Sequence, residues 1–227
     1  MEIKSGETIE AGKGHVLIMG KPKRGKTRML GTASMHEKLF IISCERGLST
    51  IAGGKFDFVE CDTYDEYMQA LEWFMSNQKK KGYTALGIDS ITRVQHYLID
   101  KLLGGKTNQK LSFDKFAEML ATLRKQLDVL TKTEDFTTIM IVHEEDKPDN
   151  GSMNNYPLLD GAIKFEIAGY FNTVVVAQSG LDKAGKMSYY CMLQGNEKCV
   201  AGSRLKHLRG ISAVPNDYKH LINTGEK

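Results

Sequence analysis

The feature that most constrains this sequence is a short glycine-containing stretch that directly follows the apolar run Val16-Leu17-Ile18-Met19. It reads G-x-x-x-x-G-K-T and comprises Gly20, Lys21, Pro22, Lys23, Arg24, Gly25, Lys26 and Thr27. The two glycines let successive backbone N–H groups turn inward, and the helix that follows offers its positive end to the same anion. A strand, this loop and a helix together predict a phosphate-binding loop, and therefore an α/β fold built around a nucleotide site.

Each residue type in this loop has a chemical role. Lys26 can reach the outer phosphates as a point charge, and the Thr27 hydroxyl suits Mg²⁺ because that ion prefers hard oxygen ligands. A helix is predicted from Arg28 to about Lys38. The whole loop and Arg28 are candidate nucleotide contacts. The additional cations either touch phosphates or lie in solvent; they are Lys21, Lys23, Arg24 and Arg28.

Composition narrows the class of protein. The chain has 227 residues, of which 41% are hydrophobic and 26% charged, values typical of one globular domain with a full core. No apolar run reaches the roughly 18 residues of a membrane helix, and no signal peptide is evident, so we expect a cytoplasmic protein without a membrane partner. The four cysteines lack C-x-x-C spacing and predict free thiols. A net charge of +3 is too small to indicate nucleic-acid binding by itself.

Polar side chains follow three further apolar runs, each of strand length. In open α/β sheets, ligands gather at the carboxyl ends of parallel strands, so we expect these side chains to lie beside the phosphate loop. The run at 39–44 precedes Glu45, the run at 83–88 precedes Asp89, and the run at 136–142 precedes His143.

These three side chains suggest specific roles. Glu45 could orient and polarise the water that attacks a γ-phosphate, or it could pair at the surface with Arg46 or Lys55. His143 could sense the γ-phosphate from the tip of its strand, or it could be a buried structural histidine.

Asp89 has two compatible roles. It would hold Mg²⁺ through the water shell of the ion, from the side opposite Thr27. Asp89 or Ser90 would also serve as the N-cap of the helix predicted from Ile91.

The remaining elements follow from periodicity and turn signals. A capping box at Thr63 predicts a helix through about Asn77, with two more helices at 91–103 and 112–131. Residues 144–157 predict a long loop, because they include two prolines and three asparagines. Strands are predicted at 56–59, 164–167 and 172–177, and a hairpin at 180–185 leads into 187–193 as an antiparallel addition to a mostly parallel sheet.

A basic cluster near the end of the chain comprises Arg204, Lys206 and Arg209, with His207 among them. These side chains could contact nucleic-acid phosphates, reach the nucleotide of a neighbouring subunit, or form a solvated basic segment.

Taken in order, the motifs resemble the RecA-type ATPase core over about residues 14–215, and most of all the small RecA-like ATPases of bacteriophages that act in single-strand annealing or recombination. The resemblance implies that Glu45 activates water, that Asp89 is associated with magnesium and that His143 is the strand-tip switch. It implies that the segment 145–157 touches single-stranded DNA. It also implies that Arg204, Lys206 and Arg209 face the ATP of the adjacent subunit.

This resemblance implies a single domain over residues 1–227, with a core at about 14–177 and a C-terminal hairpin and basic segment at 178–227. It implies ATP and Mg²⁺ as cofactors, single-stranded DNA as a partner, and a homo-oligomeric ring or filament in the cytoplasm of a bacterial host. Few residues precede the loop, so we expect no amino-terminal polymerisation segment of the kind that full-length recombinases carry.

The segment 144–157 departs from the resemblance in its charge. It carries four acidic residues against one lysine, which is the wrong sign for an electrostatic grip on phosphates. DNA contact is therefore expected from backbone amides, Asn154, Asn155 and stacking by Tyr156.

Two other functions compete with DNA binding. An acidic loop could dock on a protein, which would make the chain a RecA-fold ATPase that regulates a protein partner. A small-molecule kinase fits less well, because such enzymes usually carry an arginine-rich lid and the segment 144–157 contains no arginine.

Overall fold

The computed structural model describes residues 14–106, 109–149, 152–182, 184–195 and 199–222. In these ranges the helices are α1 (Lys26–Thr32), α2 (Tyr64–Lys81), α3 (Ile91–Leu103), α4 (Phe113–Thr131) and α5 (Ile163–Glu166). The strands are β1 (Val16–Gly20), β2 (Leu39–Ser43), β3 (Phe56–Glu60), β4 (Ala85–Asp89), β5 (Thr137–Asp149), β6 (Ser152–Pro157), β7 (Thr173–Leu181), β8 (Met187–Met192), β9 (Gly202–Ser203) and β10 (Ala213–Pro215).

The centre of the molecule is a parallel sheet in the order β7-β1-β5-β4-β2-β3. Its register pairs Val16 of β1 with Ile139 of β5 on one side and Thr173 of β7 on the other. Every residue of β1, β2 and β4 is buried, as expected for apolar strands that are covered on both faces. The predicted α/β fold with a mostly parallel sheet is confirmed, and the carboxyl ends of β1, β2, β4 and β5 meet at one edge.

Alternation along the strands divides the core between the two faces of the sheet. Leu17 and Met19 belong to the hydrophobic cluster that includes α2, α3 and α4, whereas Val16 and Ile18 belong to the cluster that includes α1 and the C-terminal segment. Tyr218 of that segment is 1% exposed. Helices therefore cover one face of the sheet, and the other face is covered by a helix together with a C-terminal segment.

The helix ends show why the predicted boundaries hold or move. Thr63 caps α2 and accepts a hydrogen bond from the backbone of Glu66, as the capping box predicts. The helix continues past the predicted end near Asn77 to Lys81, where Gly82 takes the left-handed conformation that ends many helices. Helix α1 ends at Thr32, earlier than predicted, and passes into a short 3₁₀ turn.

The loop predicted at 144–157 is wrong, because the described residues of this segment belong to two paired strands. Strand β5 continues past the sheet to Asp149 and pairs antiparallel with β6, with Glu144 opposite Pro157. A two-stranded hairpin consists of edge strands, where a proline need not remove a ladder hydrogen bond, so its prolines do not break it. Residues 150 and 151, at the tip of the predicted loop, lie outside the described residues.

The strand predicted at 164–167 is also wrong. Residues 164–166 belong to the helix α5, and Ile167 begins a 3₁₀ turn. Ile163, the first residue of α5, and Ile167 are both buried and lie four positions apart, which is a helical spacing. Phe113, the first residue of α4, is apolar but 86% exposed.

The C-terminal part of the sheet is antiparallel, as predicted. Strand β8 pairs antiparallel with β7 and with β10, and the short β9 pairs with the first residues of β7. The four cysteines are free thiols, as predicted. Among the helices of the described ranges, none combines the length and the apolar character needed to cross a bilayer.

Candidate nucleotide-binding site

The phosphate loop connects β1 to α1 and depends on its two glycines. Gly20 and Gly25 have positive φ angles of 157° and 88°. A Cβ at Gly20 would lie 2.8 Å from the Ala177 carbonyl oxygen, and one at Gly25 would lie 2.8 Å from Nδ2 of Asn216. Glycine is therefore required at both positions by backbone conformation and by space.

Lys26 is held inside this loop. Its ammonium group donates hydrogen bonds to the carbonyl oxygens of Gly20 at 2.8 Å and Lys21 at 2.9 Å, and the residue is buried. Burial lowers the pKa of Lys26, against the opposing charges of Asp89 and Glu45. The geometry thus fixes a positive charge where the motif predicts the outer phosphates of a nucleotide.

Asp89 and Thr27 form the second part of the site. Thr27 Oγ1 donates a hydrogen bond of 2.9 Å to Oδ2 of Asp89, which ends β4 beside β2. Burial raises the pKa of Asp89 to about 6. Ser90 caps α3, so the N-cap role falls to Ser90 and the Asp89 carboxylate remains directed to the loop.

This pair suits Mg²⁺ in its chemistry. A hydroxyl and a carboxylate are the hard oxygen ligands that Mg²⁺ prefers, and a buried acid with a raised pKa is an anion that a cation would stabilise. In the described part of the chain, no group of three or more His, Cys, Asp or Glu side chains could hold a metal ion. Thr27 and Asp89 supply two hard oxygen ligands, and nucleotide phosphates are the usual further ligands of a Mg²⁺ ion bound in this way.

Glu45, just after β2, lies next to His143, which stands in the middle of β5 where that strand leaves the central sheet. Nε2 of His143 lies 2.7 and 2.8 Å from the two carboxylate oxygens of Glu45, and Ser90 also donates a hydrogen bond to Glu45. Burial alone would raise the pKa of Glu45, but the hydrogen bonds with His143 and Ser90 outweigh it and hold the pKa below its usual value. Glu45 is therefore a carboxylate held by its neighbours, and the surface pairing with Arg46 or Lys55 is not the arrangement observed.

These residues surround one cavity of ≈ 540 Å³, which we call the nucleotide cavity. Glu45, Asp89 and His143 all line it, as predicted from the strand ends. The phosphate-loop residues in its wall are Pro22, Lys23, Gly25, Lys26, Thr27 and Arg28. The structure therefore brings the two acids, the histidine and part of the phosphate loop together around a single space, and their roles in nucleotide binding stay predictions.

The other cations of the loop contact different parts of the chain. Lys21 pairs with Asp146 of the β5–β6 hairpin at 2.5 Å. Arg24 donates to the carbonyl oxygen of Ser179 at 3.0 Å. The guanidinium carbon of Arg28 lies 5.8 Å from the centre of the Tyr189 ring.

Sequence reasoning missed the C-terminal residues of this site. Tyr189 lines the nucleotide cavity, and Asn216 donates from Nδ2 to the carbonyl oxygen of Gly25 at 3.2 Å. Asn216 also donates its backbone N–H to the carbonyl oxygen of Tyr189 at 3.2 Å. These residues lie more than 160 positions after the loop and belong to no motif, so only the fold reveals their proximity.

Glu144, also missed, connects the site to the hairpin. It is 6% exposed, accepts a hydrogen bond from Asn155 at Oε1, and has no hydrogen-bond partner at Oε2 among the described residues. Burial raises the pKa of Glu144, against the opposing charge of Lys21. An ionised carboxylate at this position is costly for the folded state.

We predict that Glu144→Gln stabilises the free protein at neutral and alkaline pH. Because the folded pKa of Glu144 lies above its usual value of 4.5, stability is lost as the pH rises through that window, and the variant avoids this loss. We expect a gain on the order of 1 kcal/mol in the free energy of unfolding at about pH 8, shrinking towards about pH 4. Denaturant titrations across pH measure it, with the exposed Glu118→Gln as control. A gain that does not vary with pH would contradict this account.

The predicted DNA contacts lie on different faces of the hairpin. Asn155 faces Glu144, whereas Tyr156 packs edge-on against Phe165 with ring centres 5.4 Å apart. Asn154 lies opposite Lys147 in the ladder, on the same face as Tyr156.

The predicted inter-subunit residues lie away from the nucleotide cavity of their own chain. Strand β9 pairs with the start of β7, at the edge of the parallel sheet opposite the phosphate loop, and the basic segment follows it. Arg204, Lys206 and Arg209 are exposed there, and Arg204 donates to the carbonyl oxygen of Gly169 at 3.0 Å. Their contact with a neighbouring subunit stays a prediction.

Solved structures with a similar fold are known. The assembled ATPase EscN from the type III secretion system of enteropathogenic E. coli matches with a TM-score of 0.50 and 18% identity, over 73% of this chain and 43% of that one. A prototypical ATPase from the type III secretion system of pathogenic bacteria matches with a TM-score of 0.48 and 19% identity, over 76% of this chain and 53% of that one. This chain thus spans about half the length of each, and the likeness to EscN shows a shared fold alone.

A comparison with curated proteins gave no match. A family model described as an AAA domain matches residues 13–205, which include the phosphate loop and the residues Glu45, Asp89 and His143. Fold, nucleotide cavity and family model agree on a P-loop ATPase domain. The chain belongs to this AAA domain family.

Proposed function

We propose that this chain is a Mg²⁺-dependent ATPase that binds single-stranded DNA in an ATP-dependent manner and acts in recombination or single-strand annealing. The observation that carries the proposal is the position of His143, which touches Glu45 in the nucleotide cavity and lies on the strand that continues into the β5–β6 hairpin. The active form we propose is a homo-oligomeric ring or filament of single-domain subunits in the bacterial cytoplasm.

The chemistry proposed for hydrolysis follows from the site. Backbone N–H groups of the loop and the Lys26 ammonium bind the phosphates, and Thr27 and Asp89 hold the ion. When bound, Mg²⁺ supplies positive charge to the phosphate oxygens. Glu45 orients the attacking water, because its carboxylate has acceptor sites beyond those that His143 and Ser90 occupy.

Two contacts support coupling between the nucleotide and the hairpin. His143 lies next to Glu144, whose carboxylate binds Asn155 across the hairpin. Lys21 of the phosphate loop binds Asp146, also on the hairpin. Phosphates that attract Lys21 would compete with Asp146 for its charge, so the hairpin has different partners with and without ATP. Allostery of this kind requires two such states.

An exposed aromatic and basic surface supports DNA contact better than the acidic composition suggests. Asp146 is neutralised by Lys21, and Glu144 is buried. On the opposite face of the hairpin, Phe165 is 65% exposed next to Tyr156. Lys164 lies 5.1 Å from the centre of the Phe165 ring. Aromatic faces beside a positive charge are the groups on which bases of single-stranded DNA stack.

We predict that Phe165→Ala weakens the binding of oligothymidylate in the presence of Mg²⁺ and a non-hydrolysable ATP analogue. Stacking contributes roughly 1–3 kcal/mol per base, so we expect a loss of about fivefold to a hundredfold in affinity. Phe113→Ala is the matched control, since Phe113 is also an exposed phenylalanine, 86% against 65% for Phe165, but lies on α4. Fluorescence anisotropy measures both. Equal affinities of the two variants would rule out this surface as the DNA contact.

The whole proposal is tested by ATP hydrolysis with and without single-stranded DNA. We expect DNA to stimulate turnover, and its binding to weaken steeply with salt because phosphate contacts release counterions. ATP hydrolysis without DNA stimulation and without salt-sensitive binding would remove the DNA part. Capture of a stable protein partner in that case would support the alternative, a RecA-fold ATPase that regulates a protein.

A further inference from the structure

A second cavity, of ≈ 550 Å³, adjoins the nucleotide cavity, and we call it the second pocket. Glu45 and His143 line both spaces, so this pair of side chains forms their common wall. The other polar and aromatic side chains of the second pocket are Arg46, Asp62, Thr92, Arg93, His96 and Tyr97. Nothing in the sequence motifs assigns a role to this space.

The acidic groups of the second pocket are already paired. Arg46 binds Asp62 at 3.0 Å, and the Glu45 carboxylate is held by His143 and Ser90. Arg93, in contrast, has no ion pair with a carboxylate among the described residues. Arg93 is therefore a guanidinium in the lining of the second pocket with no carboxylate within ion-pair distance among the described residues.

Arg93 is also held in position. Its guanidinium carbon lies 5.3 Å from the centre of the Tyr97 ring. The Tyr97 hydroxyl is fixed by hydrogen bonds to the carbonyl oxygens of Cys44 at 3.1 Å and Cys61 at 3.2 Å. A guanidinium stacked on an immobile ring is pre-organised for bidentate binding of a tetrahedral oxyanion. His96, one turn along α3 from Arg93, adds a second possible donor.

We propose that the second pocket is a binding site for a phosphate group, held by Arg93 and His96 directly behind the Glu45–His143 wall. Two sources supply this chemistry. One is the inorganic phosphate released when water cleaves ATP in the nucleotide cavity, and the other is a phosphodiester of a bound strand. A phosphate in this position adds negative charge beside Glu45 and competes with it for His143. The inference rests on the proposed ATPase function for the origin of inorganic phosphate, whereas the affinity of the pocket can be measured without turnover.

The test uses the full chain saturated with Mg²⁺ and a non-hydrolysable ATP analogue, which also fills the γ-phosphate position, so that added anions report on the second pocket. Inorganic phosphate is titrated by calorimetry and labelled oligothymidylate by fluorescence anisotropy. We expect Arg93→Ala and His96→Ala to lose about tenfold or more in affinity for at least one probe, with Arg93→Lys in between. Lys125→Ala, which removes an exposed positive charge from α4, is the matched control. Thermal unfolding establishes that each variant is folded.

The two arms separate the sources. Loss confined to inorganic phosphate assigns the pocket to the released product, loss confined to oligothymidylate assigns it to a strand, and loss of both means that the two compete for it. The proposal would be overturned if Arg93→Ala and His96→Ala bound both probes with the same affinity as Lys125→Ala. It would also be overturned if a polyglutamate peptide displaced labelled oligothymidylate as effectively as inorganic phosphate does, because the pocket would then select negative charge and not a phosphate group. If Arg93-dependent phosphate binding is found and ATP is not hydrolysed, the second pocket stands and the proposed ATPase function fails. If ATP is hydrolysed but phosphate binding does not depend on Arg93, the proposed ATPase function stands and the second pocket fails as a phosphate site.

Discussion

Replacing Lys26 with alanine is expected to abolish detectable binding of Mg·ATP. The ammonium group is buried and already held by the carbonyl oxygens of Gly20 and Lys21, so its position is set before the nucleotide arrives. Truncating one partner of a buried, hydrogen-bonded charge pair costs about 2–5 kcal/mol, or roughly thirtyfold to several thousandfold in affinity. No other ammonium group of the loop is buried, so none can replace it.

Equilibrium titration with a fluorescent ATP analogue measures this loss. Lys125→Ala serves as control because it removes one exposed positive charge far from the loop, and its affinity should match that of the unaltered chain. A Lys26→Ala variant that is folded and binds nucleotide with wild-type affinity would show that the nucleotide cavity is not the phosphate site.

Glu45→Gln is expected to have the opposite pattern, with nucleotide affinity close to wild type and turnover slowed by about 10²–10⁴-fold. The amide has nearly the shape of the carboxylate and can still accept the hydrogen bond from Ser90, so the cavity is preserved. It cannot accept a proton from water, and general-base catalysis contributes about that factor. Single-turnover hydrolysis measures the rate, while equilibrium titration of the same protein measures the affinity.

Comparison of the two variants gives the sharper result. Lys26→Ala should lose binding, whereas Glu45→Gln should lose the chemical step alone. Glu118→Gln, an isosteric change at an exposed glutamate of α4, controls for the loss of one negative charge. Equal loss of binding in both variants would contradict the separate roles assigned here.

The parts of the site that the sequence predicts are those encoded by contiguous patterns. A buried parallel strand is mostly apolar, so its apolar run ends where the chain emerges at the ligand edge of the sheet, and Glu45, Asp89 and His143 stand at the ends of such runs. Their mutual contacts follow from strand order, which local patterns do not specify. The hydrogen bonds between Glu45 and His143 join residues 98 positions apart.

The errors have a common physical cause, which is that tertiary contacts override local composition. Proline and asparagine predict a loop at 144–157, but Glu144 and Asn155 bind one another across a hairpin ladder. Local composition predicts a strand at 164–167, but this segment lies in α5 and the first residue of the 3₁₀ turn after it, with Ile163 and Ile167 buried at a helical spacing. The C-terminal contacts of Tyr189 and Asn216 belong to no motif and could not be predicted.

Strand β5 has two halves with different neighbours. Its first half is clamped between β1 and β4, whereas its second half has β6 as its ladder partner. His143 lies at the boundary between the two halves, where the strand leaves the central sheet and enters the hairpin. The hydrogen bonds between Glu45 and His143 are therefore made at the residue that joins the nucleotide cavity to the hairpin along one continuous strand.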